Sequence, residues 1–313
     1  LMNNDNSEYH KRIRNAANLS VALFIAAIQG DVKEMEALLD KGAGANGTCR
    51  RPGNSQEESI LGAAVREDRP ESVALLIKRG ANVNMIGPDG RTALHIALRY
   101  GHADIARLLI ENGADKDMGF NGGSVYDLAE KAPRNAEETI GVLLEGVTNQ
   151  RLAAIFRDAA RRANLKTMTA IAARDGFDVD SSDHNGNTAL MMVAENARDC
   201  PDPAASIATL VKLGANVEAE NYFRETALSL IMAKKEPSPK AVGALIAGGA
   251  DILRETLAGY SNYEAAILGG HPEIMPLFEE AYKKRVTDEV GKVYKGAEAD
   301  MKVRPIRLKQ QPK

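Results

Sequence analysis

A solenoid of eight stacked helix pairs, dominated by α-helix, is the fold class that this 313-residue sequence predicts. Three observations predict it. One pattern recurs along almost the whole chain, with copies opening at Val21, Ser59, Thr92, Ser124, Ile155, Thr188, Thr226 and Ser261. Within each copy the apolar positions fall on two short helical faces separated by a break. Composition agrees: aromatics make up 4% and Trp is absent, while Ala, Leu and Gly abound. That mixture suits helices packed closely through small side chains better than it suits a β-sandwich.

The elements follow in order. Residues 1–19 read as a polar N-terminal segment or cap, hydrophilic from Asn3 to Asn18. Residues 20–146 hold four copies, of which the third, "TALHIALRYGHADIARLLIENGADKD" from Thr92, is the most regular. Its first helix should bury Leu94, Ile96 and Ala97, and its second, after the break at Gly101, Ile105, Leu108 and Leu109. Gly113 sits where a left-handed helix end suits glycine. The polar "MIGPDG" and its equivalents should form hairpin-like fingers. No copy can bury its apolar faces alone, so the eight must stack.

Residues 147–282 hold copies five to eight. Copy five lacks the Thr opening and the Gly-Ala ending, so a kink is expected near 147–155, with "RLAAIFRDAARR" as a fresh start. Long intervals come from inserts. Gly47–Glu58 enlarges the first finger, while Arg198–Ser206 and Lys234–Lys240 lengthen turns between paired helices. Pro272 suits the first turn of the last helix. Val286, Val290 and Val293 continue its pattern as a helical C-terminal cap, and residues 283–313 end in a basic tail from Met301.

The period of roughly 33 residues, with T-A-L-H-x-A, a Gly, then L-L-x-x-G-A-x-x-N, resembles the ankyrin repeat. The resemblance runs from about Ser20 to Ala281, through copies such as "VALFIAAIQGDVKEMEALLDKGAGAN" and "TALMMVAENARDCPDPAASIATLVKLGANVE". It implies a protein-interaction module and assigns Thr92 and His95 to a structural pair at the helix start.

The sequence carries no catalytic signature. His95, His102 and Asp104 crowd ten residues, but the His95 position is Phe24, Gly62, Asp127, Asp158, Met191, Ser229 and Glu264 in the other copies. A catalytic His needs an oriented partner and a cleft, and nothing else in the chain supplies them. Asp104 is accounted for by the dipole of the helix it opens. No catalytic residue, metal ligand set or cofactor is expected. The five histidines are scattered, Cys49 and Cys200 lie 151 positions apart, and no phosphate loop or nucleophile elbow occurs. The cysteine usage predicts a reducing, cytoplasmic setting. No apolar run approaches a membrane span of about 20 residues. From Lys283 on, ten Lys/Arg against four Asp/Glu give +6; the remainder, 30 against 39, carries −9. An acidic body argues against nucleic acid.

The resemblance points to the fingers and the exposed side of the first helices as the partner surface. Candidate contact residues on it are Ile86, Asp89, Arg91, Arg99, Tyr100, Phe120, Asn121, His184, Asn185, Glu195, Tyr222, Phe223 and Arg224. Apolar tips on surface turns have no obvious folding role, which singles out Ile86, Phe120, Tyr222, Phe223 and Tyr100. The expected activity is non-enzymatic binding of a protein or peptide through the concave face, by a chain monomeric alone. Two other readings stand beside it. One is the targeting part of a larger enzyme of the bacterial secreted-effector type, acting in host cytosol, with its catalytic part outside this chain. The other is an intracellular scaffold or inhibitor. The chain opens on Leu1 rather than Met, which leaves an upstream portion open.

Overall fold

The computed structural model describes residues 19–50, 57–256 and 259–288. Eight helix pairs run through them. They are α1 (19–29) with α2 (Val32–Asp40), α3 (Ile60–Arg66) with α4 (Pro70–Lys78), and α5 (Ala93–Tyr100) with α6 (Ala103–Glu111). Then come α7 (Val125–Glu130) with α8 (Ala136–Leu144), and α9 (Asn149–Arg161) with α10 (Leu165–Ala172). The last three are α11 (Ala189–Glu195) with α12 (Pro203–Lys212), α13 (Ala227–Met232) with α14 (Pro239–Ala247), and α15 (Asn262–Gly269) with α16 (275–288).

The helix starts follow from sequence. Ser59, Thr92, Ser124, Thr188, Thr226 and Ser261 each accept a hydrogen bond from the backbone N–H three residues on. Such a cap satisfies a donor that the helix itself leaves unpaired, worth about 1 kcal/mol. In four of these the third residue's side chain bonds back to the cap: His95, Asp127, Ser229 and Glu264. Four different side chains thus do one job, which explains the variety at the His95 position. Second helices begin with Pro70, Pro203 and Pro239 in their first turn, or behind the caps Asp31, Asp202 and Ser238. α10 has no cap of its own; the Glu130 carboxylate accepts from the N–H groups of Lys166 and Thr167 instead.

The chain divides into two units. The first runs through Leu152 and takes in Asn164–Phe177; the second holds Ala153–Ala163 and the described residues from Asp178 on. In the first, α3, α5 and α7 lie side by side, as do α2, α4, α6, α8 and α10. Its core holds Leu23, Phe24, Met35, Ile60, Leu76, Leu94, Leu98, Ile105, Leu109 and Ile140. Burying each such side chain contributes about 2 kcal/mol relative to exposure. In the second unit α11, α13 and α15 stack, α12 lies on α14, and Phe156, Leu190, Ile207, Leu228, Leu245 and Phe278 are buried.

The expected hairpin-like form is fullest in the first finger, where β1 (Thr48–Arg50) pairs antiparallel with β2 (Glu57–Ser59), Cys49 opposite Glu58; among the described residues, single antiparallel bridges join Phe120 to Gly123 and Glu255 to Ser261 in two later ones. The tip of the first finger, 51–56, lies outside the described residues, as do the polar start at 1–18 and the basic tail. The later fingers are turns without a named strand, because short polar side chains satisfy their backbone groups instead. Other polar side chains tie one repeat to the next. Asn46 accepts from the Asn82 N–H (2.7 Å), Asn84 from Asp115 (2.8 Å), Asp180 from Asn216 (3.0 Å) and Glu218 from Asp251 (2.9 Å). The other two inserts sit where expected, between α11 and α12 and between α13 and α14, joined to each other by an Arg198–Glu236 ion pair.

Candidate partner-binding surface

In the first unit the finger before α5 is built on Gly87, whose N–H donates to the Arg91 carbonyl (2.7 Å). Ile86 stands out from it, 59% exposed. Asp89 and Arg91 are turned towards each other, carboxylate to guanidinium at 3.0 Å. The Arg91 guanidinium also lies over the Phe120 ring, 4.5 Å from its centroid, and that ring meets His95 at 5.7 Å. Phe120 is therefore half-buried, not a free tip: it exchanges two backbone bonds with Gly123 and packs under the neighbouring finger. This corrects the expectation that an aromatic there has no folding role. Asn121 beside it is exposed with φ +50°, a left-handed conformation that asparagine tolerates.

His95 sits beneath this cluster, 1% exposed. The Thr92 N–H can only donate, so Nδ1 accepts (3.0 Å) and the proton belongs on Nε2, which donates to the Met118 carbonyl (2.7 Å). Burial holds the imidazole below its usual value of 6.5, against the opposing pull of the Met118 bond. A ring so committed has no lone pair for substrate or metal. At the other end of α5, Arg99 is exposed, and the Tyr100 ring stacks on His102 at 5.9 Å. Gly101 between them has φ +76° and runs so close to Arg134 that any side chain would strike its carbonyl oxygen.

In the second unit the finger before α11 is closed by Asp183, whose carboxylate accepts from the N–H groups of Asn185 (2.8 Å) and Asn187 (2.9 Å). His184 is left exposed at its tip. The next finger repeats the device. Buried Asn221 accepts from Phe223 and Glu225, both at 2.9 Å, while its amide donates to Asn187 (2.9 Å). Tyr222 donates its N–H to the Asn185 carbonyl (3.1 Å). Its backbone passes directly over Gly186, where only glycine leaves room. On this tightly bonded frame Tyr222 is 75% and Phe223 58% exposed. Arg224 follows with φ +58°, its guanidinium 3.9 Å from Glu220. Glu195, at the end of α11, faces Lys234 at 3.4 Å.

The thirteen candidate residues thus fall seven in the first unit and six in the second, and within each they gather on fingers and first-helix ends. Sequence reading missed Tyr260, 45% exposed just before the cap Ser261. The last copy, opening at Ser261, places it at the position of Arg91, and that correspondence is the signal that could have found it.

Among the described residues no cluster of three or more His, Cys, Asp or Glu could hold a metal ion. No described helix is long and apolar enough to cross a membrane.

Comparison with known proteins places these observations. Residues 23–120 match the family model for ankyrin repeats in three copies. The chain is similar to the neurogenic locus notch homolog protein 1 of Mus musculus, 31% identical over 195 residues, and to that of Homo sapiens, 30% identical. It is also similar to the ankyrin repeat and KH domain-containing protein mask-1 of Caenorhabditis elegans, 26% identical over 265 residues. The matches cover 60% of this chain for the notch proteins and 83% for mask-1, but only 7% and 10% of those much longer proteins.

Proposed function

We propose that the chain, whose residues 23–120 match ankyrin repeats, a protein–protein interaction module, binds a protein or peptide through its fingers and the adjoining ends of its first helices. One observation carries the reading: Tyr222 and Phe223 are exposed although each backbone N–H from Tyr222 to Glu225 is hydrogen-bonded. Folding does not need these rings in water. A preorganised frame holding bare aromatics lowers the entropic cost of association, and aromatics are enriched among binding hot spots. The surface acts by shape and chemistry, with no bond made or broken.

A second reading draws on the proportions of the relatives. The matched stretches are small parts of long polypeptides, which supports a stack that brings a larger protein to its partner. A scaffold or inhibitor uses the same surface.

The test is affinity capture from a proteome with the wild-type chain beside a Tyr222→Ser, Phe223→Ser variant of unchanged circular dichroism. A partner held by the wild type and lost by the variant is the expected result. Equal retention by both would place the binding surface elsewhere.

A further inference from the structure

Within the second unit the eighth repeat is the last copy of the pattern in the sequence, and one of its faces is bare. Register defines that face. Ala27, Val65, Leu98, Ala194 and Met232 occupy one position of the first helix in five earlier repeats, and each is 8% exposed or less. In the fourth repeat the same position is Glu130, whose carboxylate accepts from the N–H groups of Lys166 and Thr167 in the repeat that follows. The position therefore faces forward, and the next repeat covers it. In the eighth repeat it is Ile267, 53% exposed. Tyr263, one turn before it, stacks on Tyr282 of α16 at 5.8 Å, and Tyr282 and Val286 are 42% and 41% exposed. One apolar face thus crosses both helices of the last pair.

The repeat that carries this face is acidic. From Glu255 to Tyr282 it holds five carboxylates and no Lys or Arg. Its cations come together at Lys283, Lys284 and Arg285, and Arg285 is held by Asp251 at 2.6 Å. With them counted, Glu255 to Asp288 has six acidic residues against three basic ones, a net −3. Exposed Glu279 lies one turn before Tyr282 on the same side of α16. The sequence continues past Asp288, and from Met301 to Lys313 it carries five Lys or Arg and no acid. That run opens "MKVRPIRLK", in which Met301, Val303, Ile306 and Leu308 are apolar and every other residue except Pro305 is basic. Thirteen residues take the chain from Asp288 to Met301. They reach up to about 45 Å, against about 20 Å for the length of α16.

We infer that residues 301–309 return to this face and cap it. Their apolar side chains cover Ile267, Tyr282 and Val286, and their cations meet the carboxylates around that cluster. The end of a repeat array needs a polar outer surface, and a bare apolar cluster is open to other chains. This segment supplies both things the face calls for: apolar contact, and positive charge over an acidic repeat. It engages a different surface from the fingers, so neither reading depends on the other.

The test is photo-crosslinking in the full chain, with Ile306 replaced by p-benzoylphenylalanine and the linked peptides read by mass spectrometry. Links within one chain to 263–267 or 282–286, in a yield independent of protein concentration, are the expected result. Adding Arg304→Glu and Arg307→Glu leaves every described residue untouched and should cut that yield about fivefold, and added salt should lower it too. Ile267→Asp, at an exposed position, should abolish the links with circular dichroism unchanged. Links found only between two chains would give the face to a second copy, and links elsewhere, or none, would leave it uncovered by this segment. Each of those outcomes overturns the inference, as does a yield indifferent to the charge reversal at Arg304 and Arg307.

Discussion

The finger between α6 and α7 and the finger between α12 and α13 carry the same cue, an aromatic in a surface turn, and use it in opposite ways. Phe120 is roofed by Arg91 and abuts His95, so it serves the fold. Tyr222 and Phe223 are held out by a turn whose N–H groups are bonded without any help from the two rings. The difference lies in the preceding finger. Arg91 is long enough to reach over the next tip, whereas Asn187 at the matching place is short and spends itself on Asn221. Residue type at a tip therefore says less about binding than the reach of the neighbour that could cover it.

Several substitutions test this contrast. The largest effect belongs to Gly101→Ala, where a left-handed backbone and the Arg134 carbonyl both forbid a side chain. It should cost about 3 kcal/mol or more, read by urea unfolding. His95→Ala removes the bridge from Thr92 to Met118 and should cost roughly 2–3 kcal/mol, leaving two buried backbone groups unpaired. Phe120→Ser should cost about 1–2 kcal/mol in the same assay. Phe223→Ser should stay within about 0.5 kcal/mol of wild type. If Phe120→Ser proves as mild as Phe223→Ser, the contrast between the fingers collapses.

A smaller effect is pH-dependent and confined to the first unit. His95 binds a proton less readily folded than unfolded, because burial disfavours the cation. The unfolded chain therefore takes up more protons, and stability should fall as pH drops below about 6.5, with no change above it. Comparing urea midpoints at pH 7.5 and 5.5 for wild type and His95→Gln isolates this contribution. Equal slopes in both would assign the loss to other groups.

Much of the fold was legible because its determinants are local. Thr or Ser caps, the glycine after most second helices and the apolar spacing located the helix pairs; the irregular fifth, without those landmarks, was read from its apolar spacing, and its first helix starts at Asn149 near the expected fresh start. The fingers were less legible. A turn made by Asp183 or Asn221 bonding its own backbone looks, as sequence, like any polar loop, and nothing in it marks the absence of strands. Phe120 could not be read because its cover comes from Arg91, 29 residues away, through packing rather than pattern. A groove between α13 and the finger before α15 was hidden for the same reason. Glu225, Met232 and Glu255 meet only when two repeats stack.

The rungs from Asn46, Asn84, Asp180 and Glu218 to the backbone of the following repeat make the Asn82, Asp115, Asn216 and Asp251 amides natural gauges of the junctions they span. Each should exchange with solvent deuterium only when its own junction opens. After the third repeat the device changes: Asp117 holds the Arg151 side chain, and Lys116 reaches the Leu143 and Glu145 carbonyls. Those are charge contacts, which salt loosens and the neutral Asn46 and Asn84 rungs resist. Raising ionic strength should therefore act as a selective solvent for that seam, leaving the two amide rungs before it locked.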